Sequence, residues 1–319
     1  MTPVRTQETQ AREPTLRSKV ANPGTYVGVL FGCVLFFYLF PVFLMRTDLY
    51  LRLNVEKWAQ MLEYSYALRG ETADVVIYGD STAVFGVNPA IVTAETRASV
   101  IVLPSTHSVL LMLGEAPLDY YLAHNKRPRT VVLSVDPWDL GAPERSHDVS
   151  YDSVALTIRH GTLATLWKAV VSYPAAVTDS ERLTLGNMLR GLFHERPLLL
   201  PEVRAHRGHN PILDVPGLTG TGPCGVGPVD PHDLAYAARF RQKYEKLGYK
   251  VVIFVPPVPD CTESFRAYHE TLRGVADNEL ITLPRAWFAD DRRLVHAREE
   301  AVGPISRQLA DTLRAHGLS

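Results

Sequence analysis

A short motif and a distant histidine supply the residue types of a serine hydrolase. Gly79-Asp80-Ser81 ends the apolar run at residues 74–79, and His296 directly precedes the predicted last helix. Glycine permits a sharp turn after a strand, so the Ser81 hydroxyl can point into a crevice while its own N–H faces an oxyanion. A serine hydroxyl needs a base to take its proton. The residues therefore predict a Ser81 nucleophile and a His296 base, with a capped turn that has no chemistry as the alternative.

An acidic pair, Asp290 and Asp291, lies shortly before this histidine. A carboxylate that accepts the second imidazole N–H would hold His296 in the tautomer that takes a proton from Ser81. Asp291 stands five residues before the histidine. Which of the two aspartates completes a triad stays open.

With these residues the chain resembles the SGNH, or GDSL-like, hydrolase superfamily over roughly residues 72–315, most specifically in "VVIYGDSTAVFGVNP". An apolar N-terminal segment, "GDSTAVFGVNP" and "RPRTVVLSVDPWDL" look most like the branch that acts in acylation of cell-surface polymers. That branch includes alginate O-acetylation proteins and the thioesterase-like protein of teichoic-acid D-alanylation. The resemblance implies a serine esterase or O-acyltransferase that acts on a cell-envelope or exported polysaccharide.

The second and third sequence blocks depart from the family, which normally takes oxyanion donors there from a glycine and an asparagine. "LPSTHSV" (103–109) and "SVDPWDL" (134–140) contain neither residue. A second hypothesis is therefore a weak or inactive SGNH-like domain that binds glycan or serves as a scaffold subunit. For the enzyme, the candidates for oxyanion or substrate contacts are the Ser81 N–H, Ser105, Thr106, His107, Asp136 and Trp138.

Several of these residues have a simpler interpretation. His107 could be an ordinary loop histidine, Trp138 a core side chain, and Asp136 a solvated carboxylate at a turn. "HRGH" (206–209) has two histidines three residues apart, but in a Pro-rich region without a third ligand a solvent-facing pair is favoured over a metal site. A phosphate loop, a dinucleotide fingerprint and a Cys-rich cluster are all absent from the sequence, so no cofactor and no metal are predicted.

The soluble part of the chain alternates short apolar runs with helical patterns. Runs that are apolar at every position indicate strands covered on both faces, as in a parallel sheet between helices. We predict an α/β fold of three layers (α/β/α) with a central parallel five-stranded sheet, and the resemblance implies the flavodoxin-like SGNH form. The predicted strands are residues 74–79, 99–103, 129–135, 250–255 and 280–283, with an insertion at about 140–230 whose first half is helical.

Residues 26–45 carry no charge and are long enough for a ~30 Å hydrocarbon core. A cleaved secretory signal is the alternative, but it needs a shorter apolar region and a small-residue cleavage site. We predict an uncleaved, single-pass transmembrane helix. A disordered tail (1–25) precedes it, and a connecting helix (46–71) and the SGNH-like domain (72–319) follow.

The orientation and partners of the domain follow from the resemblance more than from charge. Four basic residues lie within 25 residues on each side of the span, so charge bias does not decide orientation. Cys224 and Cys261 are compatible with one disulfide or with two thiols. A net charge of -1 argues against nucleic acid as a partner.

The resemblance implies a periplasmic domain on the inner membrane. It also implies contact with a glycan or acyl donor and with a membrane-bound O-acyltransferase or export complex. The alternative is a cytoplasmic lipid esterase.

Overall fold

The computed structural model describes residues 23–137, 149–193, 199–210, 234–260, 269–289 and 296–318. The chain divides into two compact units, Met1–Phe40 and Pro41–Ser319. Cys224, Cys261 and the predicted tail, except for its last residues, lie outside the described residues.

The first helix, α1, is Pro23–Met45, so it begins at Pro23 rather than at Tyr26 as predicted. Among the described residues it is the one helix long and apolar enough to cross a membrane. Pro41 lies inside the helix, close to its end, where one lost backbone hydrogen bond is tolerated.

The other helices lie in the unit Pro41–Ser319. Between α1 and the first strand are α2 (Asp48–Leu53), α3 (Lys57–Leu62) and α4 (Tyr64–Ala67). Between the first three strands are α5 (Ser81–Gly86), α6 (Pro89–Thr96), α7 (His107–Leu113) and α8 (Ala116–His124). The insertion and the C-terminal part contribute α9 (Tyr151–His160), α10 (Leu163–Ser172), α11 (Pro174–Phe193), α12 (Leu199–Ala205), α13 (Ala235–Lys246) and α14 (Glu299–Ala315).

A parallel four-stranded sheet forms the centre of this unit, in the order β2-β1-β3-β4. Its strands are β1 (Val75–Gly79), β2 (Val100–Leu103), β3 (Thr130–Ser134) and β4 (Lys250–Phe254), and every strand residue except Lys250 is buried. The α/β class and the first four predicted strands are therefore confirmed.

Strand side chains alternate between two apolar clusters, one for each face of the sheet. Val76 and Tyr78 share a cluster with residues of α8 and α13. Val75 and Ile77 share the other with residues of α6 and α14. Burial on both faces explains why the runs are apolar at every position.

The fifth predicted strand does not join this sheet. Among the described residues, β6 (Thr282–Leu283) pairs in parallel with β5 (Val258–Pro259) as a separate two-stranded sheet. Pro256 and Pro257 lie between β4 and β5. Because proline has no N–H to donate, they interrupt the ladder along the outer edge of β4.

Side chains replace the missing strand beside β4. Asp277 accepts the N–H of Ile253 at 2.7 Å, and Asn278 bonds both the N–H and the C=O of Val255, each at 2.9 Å. These bonds satisfy backbone groups that a fifth strand would otherwise pair.

The connecting segment forms three short helices instead of the one predicted. Asn54 leaves α2 with extended backbone, and Glu56, also extended, caps α3 by accepting the N–H of Trp58. Glu63, at the junction of α3 and α4, is buried and pairs with Arg159 at 2.6 Å and His160 at 3.0 Å in α9. A buried carboxylate is costly unless it is paired. The pairs of Glu63 with α9 therefore favour a connecting segment that is divided into short helices and stays packed against the insertion.

The insertion is helical in its first half, as predicted, and then returns to the sheet. The N–H of Val102 donates to the carbonyl of Arg207 at 2.9 Å, on the open edge of β2. Gly208 approaches the same strand so closely that a Cβ would lie 1.8 Å from the Val102 oxygen. Residues 207–210 therefore cover part of the exposed edge strand.

Candidate active site

β1 ends at Gly79, where no side chain fits. A Cβ at this position would lie 1.6 Å from the carbonyl oxygen of Ser134, its neighbour in β3. The sheet order reverses between β1 and β3, and ligands of open α/β sheets bind at the carboxyl ends of strands at such a point. The close contact at Gly79 therefore places Asp80 and Ser81 at the carboxyl ends of β1 and β3.

Asp80 ties the ends of the two central strands together. It is fully buried, and its Oδ1 accepts hydrogen bonds from the Thr82 backbone N–H at 2.8 Å and from the Thr82 hydroxyl at 2.5 Å. Its Oδ2 accepts the N–H of Asp136, after β3, at 2.7 Å. The carboxylate thus caps α5 and fixes the turn that carries Ser81.

Ser81 and His296 meet, although they are 215 positions apart in sequence. The Ser81 Oγ lies 2.8 Å from the His296 Nε2. Both residues are half-buried. An imidazole protonated on Nδ1 can accept the serine proton on Nε2 at this distance, which is the geometry of a nucleophile and its general base.

Two aromatic rings support the imidazole from the side of α5. The ring of Phe85 meets that of His296 edge-on, with centroids 5.2 Å apart. Trp58 of α3 meets Phe85 in the same manner at 5.3 Å. Edge-to-face pairs of this kind restrict ring orientation, so the connecting segment helps to position the histidine. Neither Phe85 nor Trp58 has a spacing in the sequence that predicts a role at this site.

The backbone of His296 is held by an antiparallel bridge. Its carbonyl accepts the N–H of Ala289 at 2.8 Å, and the bridge pairs Phe288 with Ala297. α14 begins directly afterwards, and its Ser306 accepts the N–H of Asn88 at 2.8 Å. The last helix therefore packs on the part of the chain that follows Ser81, which explains how the two distant residues keep their register.

Three predicted site residues lie outside the described residues: Asp290, Asp291 and Trp138. Which aspartate holds the Nδ1 proton of His296 stays a prediction, and so does a substrate contact of Trp138.

The second block lies at the start of α7. Thr106 caps this helix by accepting the N–H of Val109 at 3.2 Å, and its hydroxyl is also 3.2 Å from that of Ser153. His107 is the first residue of α7 and is half-buried. Ser105 is fully buried. The Thr106 hydroxyl is thus engaged in local structure.

Asp136 is not a solvated turn residue. It is 6% exposed, and its N–H is held by Asp80. The interpretation as an exposed carboxylate is therefore wrong, because the residue lies where the buried Asp80 side chain joins two strand ends.

Asp152 is a titratable group that the sequence did not point to. It lies in the first turn of α9, next to the Ser153 that contacts Thr106. Burial, and then the negative charge of Glu56, raise its pKa to about 7. The folded protein therefore favours a neutral carboxyl here at mildly acidic pH.

The two histidines of "HRGH" have different environments. His206 is exposed, as predicted, but His209 is buried and its Nδ1 lies 2.9 Å from the carbonyl oxygen of Val84 in α5. Burial lowers the pKa of His209 to about 4, so its ring is neutral and Nδ1 donates. The solvent-facing interpretation is therefore wrong for His209, whose ring donates a hydrogen bond to α5.

Within the described ranges, no group of three or more His, Cys, Asp or Glu side chains is placed to hold a metal ion. Comparisons with protein-family models, curated proteins and solved structures gave no match to the chain. The function is therefore inferred from the geometry of the site.

Proposed function

We propose that the protein is a membrane-anchored serine esterase or O-acyltransferase of the SGNH type that acts on a cell-envelope or exported polysaccharide. The observation that carries this proposal is the 2.8 Å contact between Ser81 Oγ and His296 Nε2. It lies beside the carboxyl ends of β1 and β3, where open α/β sheets bind ligands.

The reaction proceeds through an acyl-enzyme. Ser81 Oγ attacks the carbonyl carbon of the acyl donor while its proton passes to His296 Nε2. His296 returns the proton to the leaving oxygen as the donor C–O bond breaks, which leaves an ester on Ser81. A glycan hydroxyl in transfer, or water in hydrolysis, then attacks this ester. His296 takes the proton of the acceptor and returns it to the serine oxygen.

The oxyanion is stabilised first by the backbone N–H of Ser81. N–H groups in the first turn of a helix have no intrahelical acceptor, and in α5 Asp80 accepts that of Thr82. Thr106, His107 and Trp138 are proposed as further donors or wall residues. Since the loss of one donor costs about 10²–10³-fold in rate, a site with the altered second and third blocks is expected to be slow.

Strand order supports the SGNH type of fold. The order β2-β1-β3-β4 corresponds to the first four positions of a flavodoxin-like sheet. Asp277 and Asn278, which bond the outer edge of β4, are proposed to lie at the fifth position of a three-layer arrangement.

A second candidate function is a glycan-binding or scaffold subunit without turnover. The observation that favours it is the engagement of the Thr106 hydroxyl as a helix cap and with Ser153, which makes this hydroxyl a poor oxyanion donor. In this case the Ser81–His296 contact is a remnant.

Ester turnover distinguishes the two candidates. The full chain in detergent micelles is expected to release p-nitrophenol from p-nitrophenyl acetate, and Ser81→Ala to lower the rate to that of buffer. Ser172→Ala, at an exposed serine, serves as the control. Equal rates for Ser81→Ala and wild type would support the scaffold. Acetate recovered on an added oligosaccharide would identify transfer, and free acetate hydrolysis.

The domain is proposed to lie outside the inner membrane, with α1 as a single-pass anchor, next to a membrane-bound O-acyltransferase or an export complex. Of two reporters fused after Ser319, we expect activity from the one that works only in the periplasm and none from the one that works only in the cytoplasm. Cytoplasmic reporter activity would favour the lipid esterase instead.

A further inference from the structure

Helix α10 exposes a stripe of large apolar side chains. Leu163, Trp167, Val170 and Val171 follow the spacing i, i+4, i+7, i+8, which places them on one face. Leu163 is 82% exposed and Trp167 71%. Contiguous exposed apolar patches on soluble domains mark contact sites. The stripe therefore indicates a partner with an apolar surface.

The other face of α10 belongs to a cluster that includes the end of α1. Leu166 and Ala169 of α10 pack in one cluster with Val42, Leu44 and Met45, the last residues of the apolar span. The stripe thus borders the point at which the chain leaves α1.

Hydrogen bonds fix this arrangement. Arg159 of α9 bonds the carbonyl oxygens of Met45 and Thr47, at 2.5 Å and 2.8 Å. Arg46 bonds the carbonyl oxygen of Ile158 in α9 at 2.8 Å. Charged donors on carbonyls are among the stronger hydrogen bonds, so α9, which directly precedes α10 in the chain, is held to the end of α1 and the residues just after it.

The end of α11 presents a similar surface. Leu189, Leu192 and Phe193 are exposed, and Phe193 is 82% exposed. This end approaches α2, because a Cβ on Gly191 would lie 1.8 Å from the carbonyl oxygen of Leu53. A second apolar surface therefore lies beside the short segment that follows α1.

We propose that α10 lies in the interfacial region of the same bilayer that α1 crosses, with Leu163, Trp167, Val170 and Val171 between the upper acyl chains. An amphipathic helix binds a bilayer in this manner, and tryptophan is enriched at that depth. Lys168, exposed beside Trp167, can extend its amine to the headgroups. The inference rests on the proposal that α1 spans a membrane. It gives the domain a second membrane contact.

The test places one fluorophore at a time on the full chain in phosphatidylcholine–phosphatidylglycerol liposomes. Cys224 and Cys261 are replaced by serine in all samples. An environment-sensitive label at Val171→Cys, with Cys33→Ser, reports on the stripe. Lys246→Cys, at an exposed position of α13 and also with Cys33→Ser, is the matched surface control. The native Cys33, exposed on α1, reports whether the anchor inserts.

We expect the label at position 171 to emit at shorter wavelength than the label at 246. We also expect lipids brominated high in their acyl chains to quench it several-fold more strongly. Equal emission and quenching at 171 and 246, with Cys33 quenched, would overturn the interfacial helix and leave the anchor intact. A Cys33 label that lipids brominated near the ends of their acyl chains fail to quench would overturn both, because Cys33 lies midway along α1. Shielding of 171 in native membranes but not in liposomes would also overturn the inference and indicate a protein partner.

Discussion

Replacing His296 with glutamine is expected to lower the rate of ester cleavage by about 10³-fold or more with little effect on stability. Glutamine is able to keep a hydrogen bond to Ser81 Oγ, which lies 2.8 Å from Nε2 in the native protein. Its amide cannot take up a proton near neutral pH, so the serine loses its base. p-Nitrophenyl acetate turnover and thermal unfolding by circular dichroism, in the same detergent, measure the two effects.

A second histidine provides the control for this change. His206 is exposed and follows α12, so His206→Gln is expected to change the rate by about twofold at most, as for a surface substitution. If His296→Gln retained a rate in the same range, the imidazole would not be the base.

Replacing Asp80 with asparagine is expected to cost about 1–3 kcal/mol of stability and to slow ester cleavage as well. Both carboxylate oxygens accept from donors, Oδ1 from Thr82 and Oδ2 from the N–H of Asp136. An amide has only one oxygen, so its NH₂ group must face one of these donors, and that buried donor loses its acceptor. The ends of β1 and β3 are then no longer tied together next to Ser81. Denaturant unfolding and turnover of the same ester report the two losses.

Thr82, which donates to Asp80, provides a comparison for the loss of stability. Thr82→Val removes the hydroxyl that donates to Asp80 at 2.5 Å but keeps both the carboxylate and the backbone N–H. It is expected to destabilise less than Asp80→Asn. A larger effect of the valine, or an Asp80→Asn protein as active as wild type, would show that the carboxylate does not position Ser81.

The sequence predicted those features that depend on local composition. An uncharged run of twenty residues is long enough for a spanning helix in any context. Runs that are apolar at every position gave the first four strands, because both faces of the sheet are covered. The meeting of Ser81 and His296 was also predicted, from the residue types at a strand end and before the last helix and then from a family resemblance, since spacing alone cannot place residues so far apart in sequence.

Features that depend on tertiary contacts were not predicted correctly. The connecting segment has helical periodicity, yet it breaks at Asn54 and Glu63 because contacts with α9 override local preference. The apolar run at 280–283 predicts a fifth strand of the main sheet, but Pro256 and Pro257 interrupt the ladder beyond β4, and the strand pairs with β5 instead.

Support for the site came from residues without a sequence signal. Phe85 contacts the imidazole through its ring edge, and His209 reaches α5 from the end of a long insertion. The type of a histidine or aromatic residue does not show which groups it contacts, so only the fold shows which of them contact the site. The connecting segment and the insertion therefore both help to position Ser81 and His296.

Fluorophosphonate labelling of the full chain tests most directly whether His296 activates Ser81. A serine oxygen displaces fluoride from the reagent and retains the phosphonate only when a base assists it. Peptide mass spectrometry is expected to locate the adduct on Ser81 in the wild type and to find little or none in His296→Gln. An adduct on another serine, or equal labelling of Ser81 with and without His296, would contradict the account.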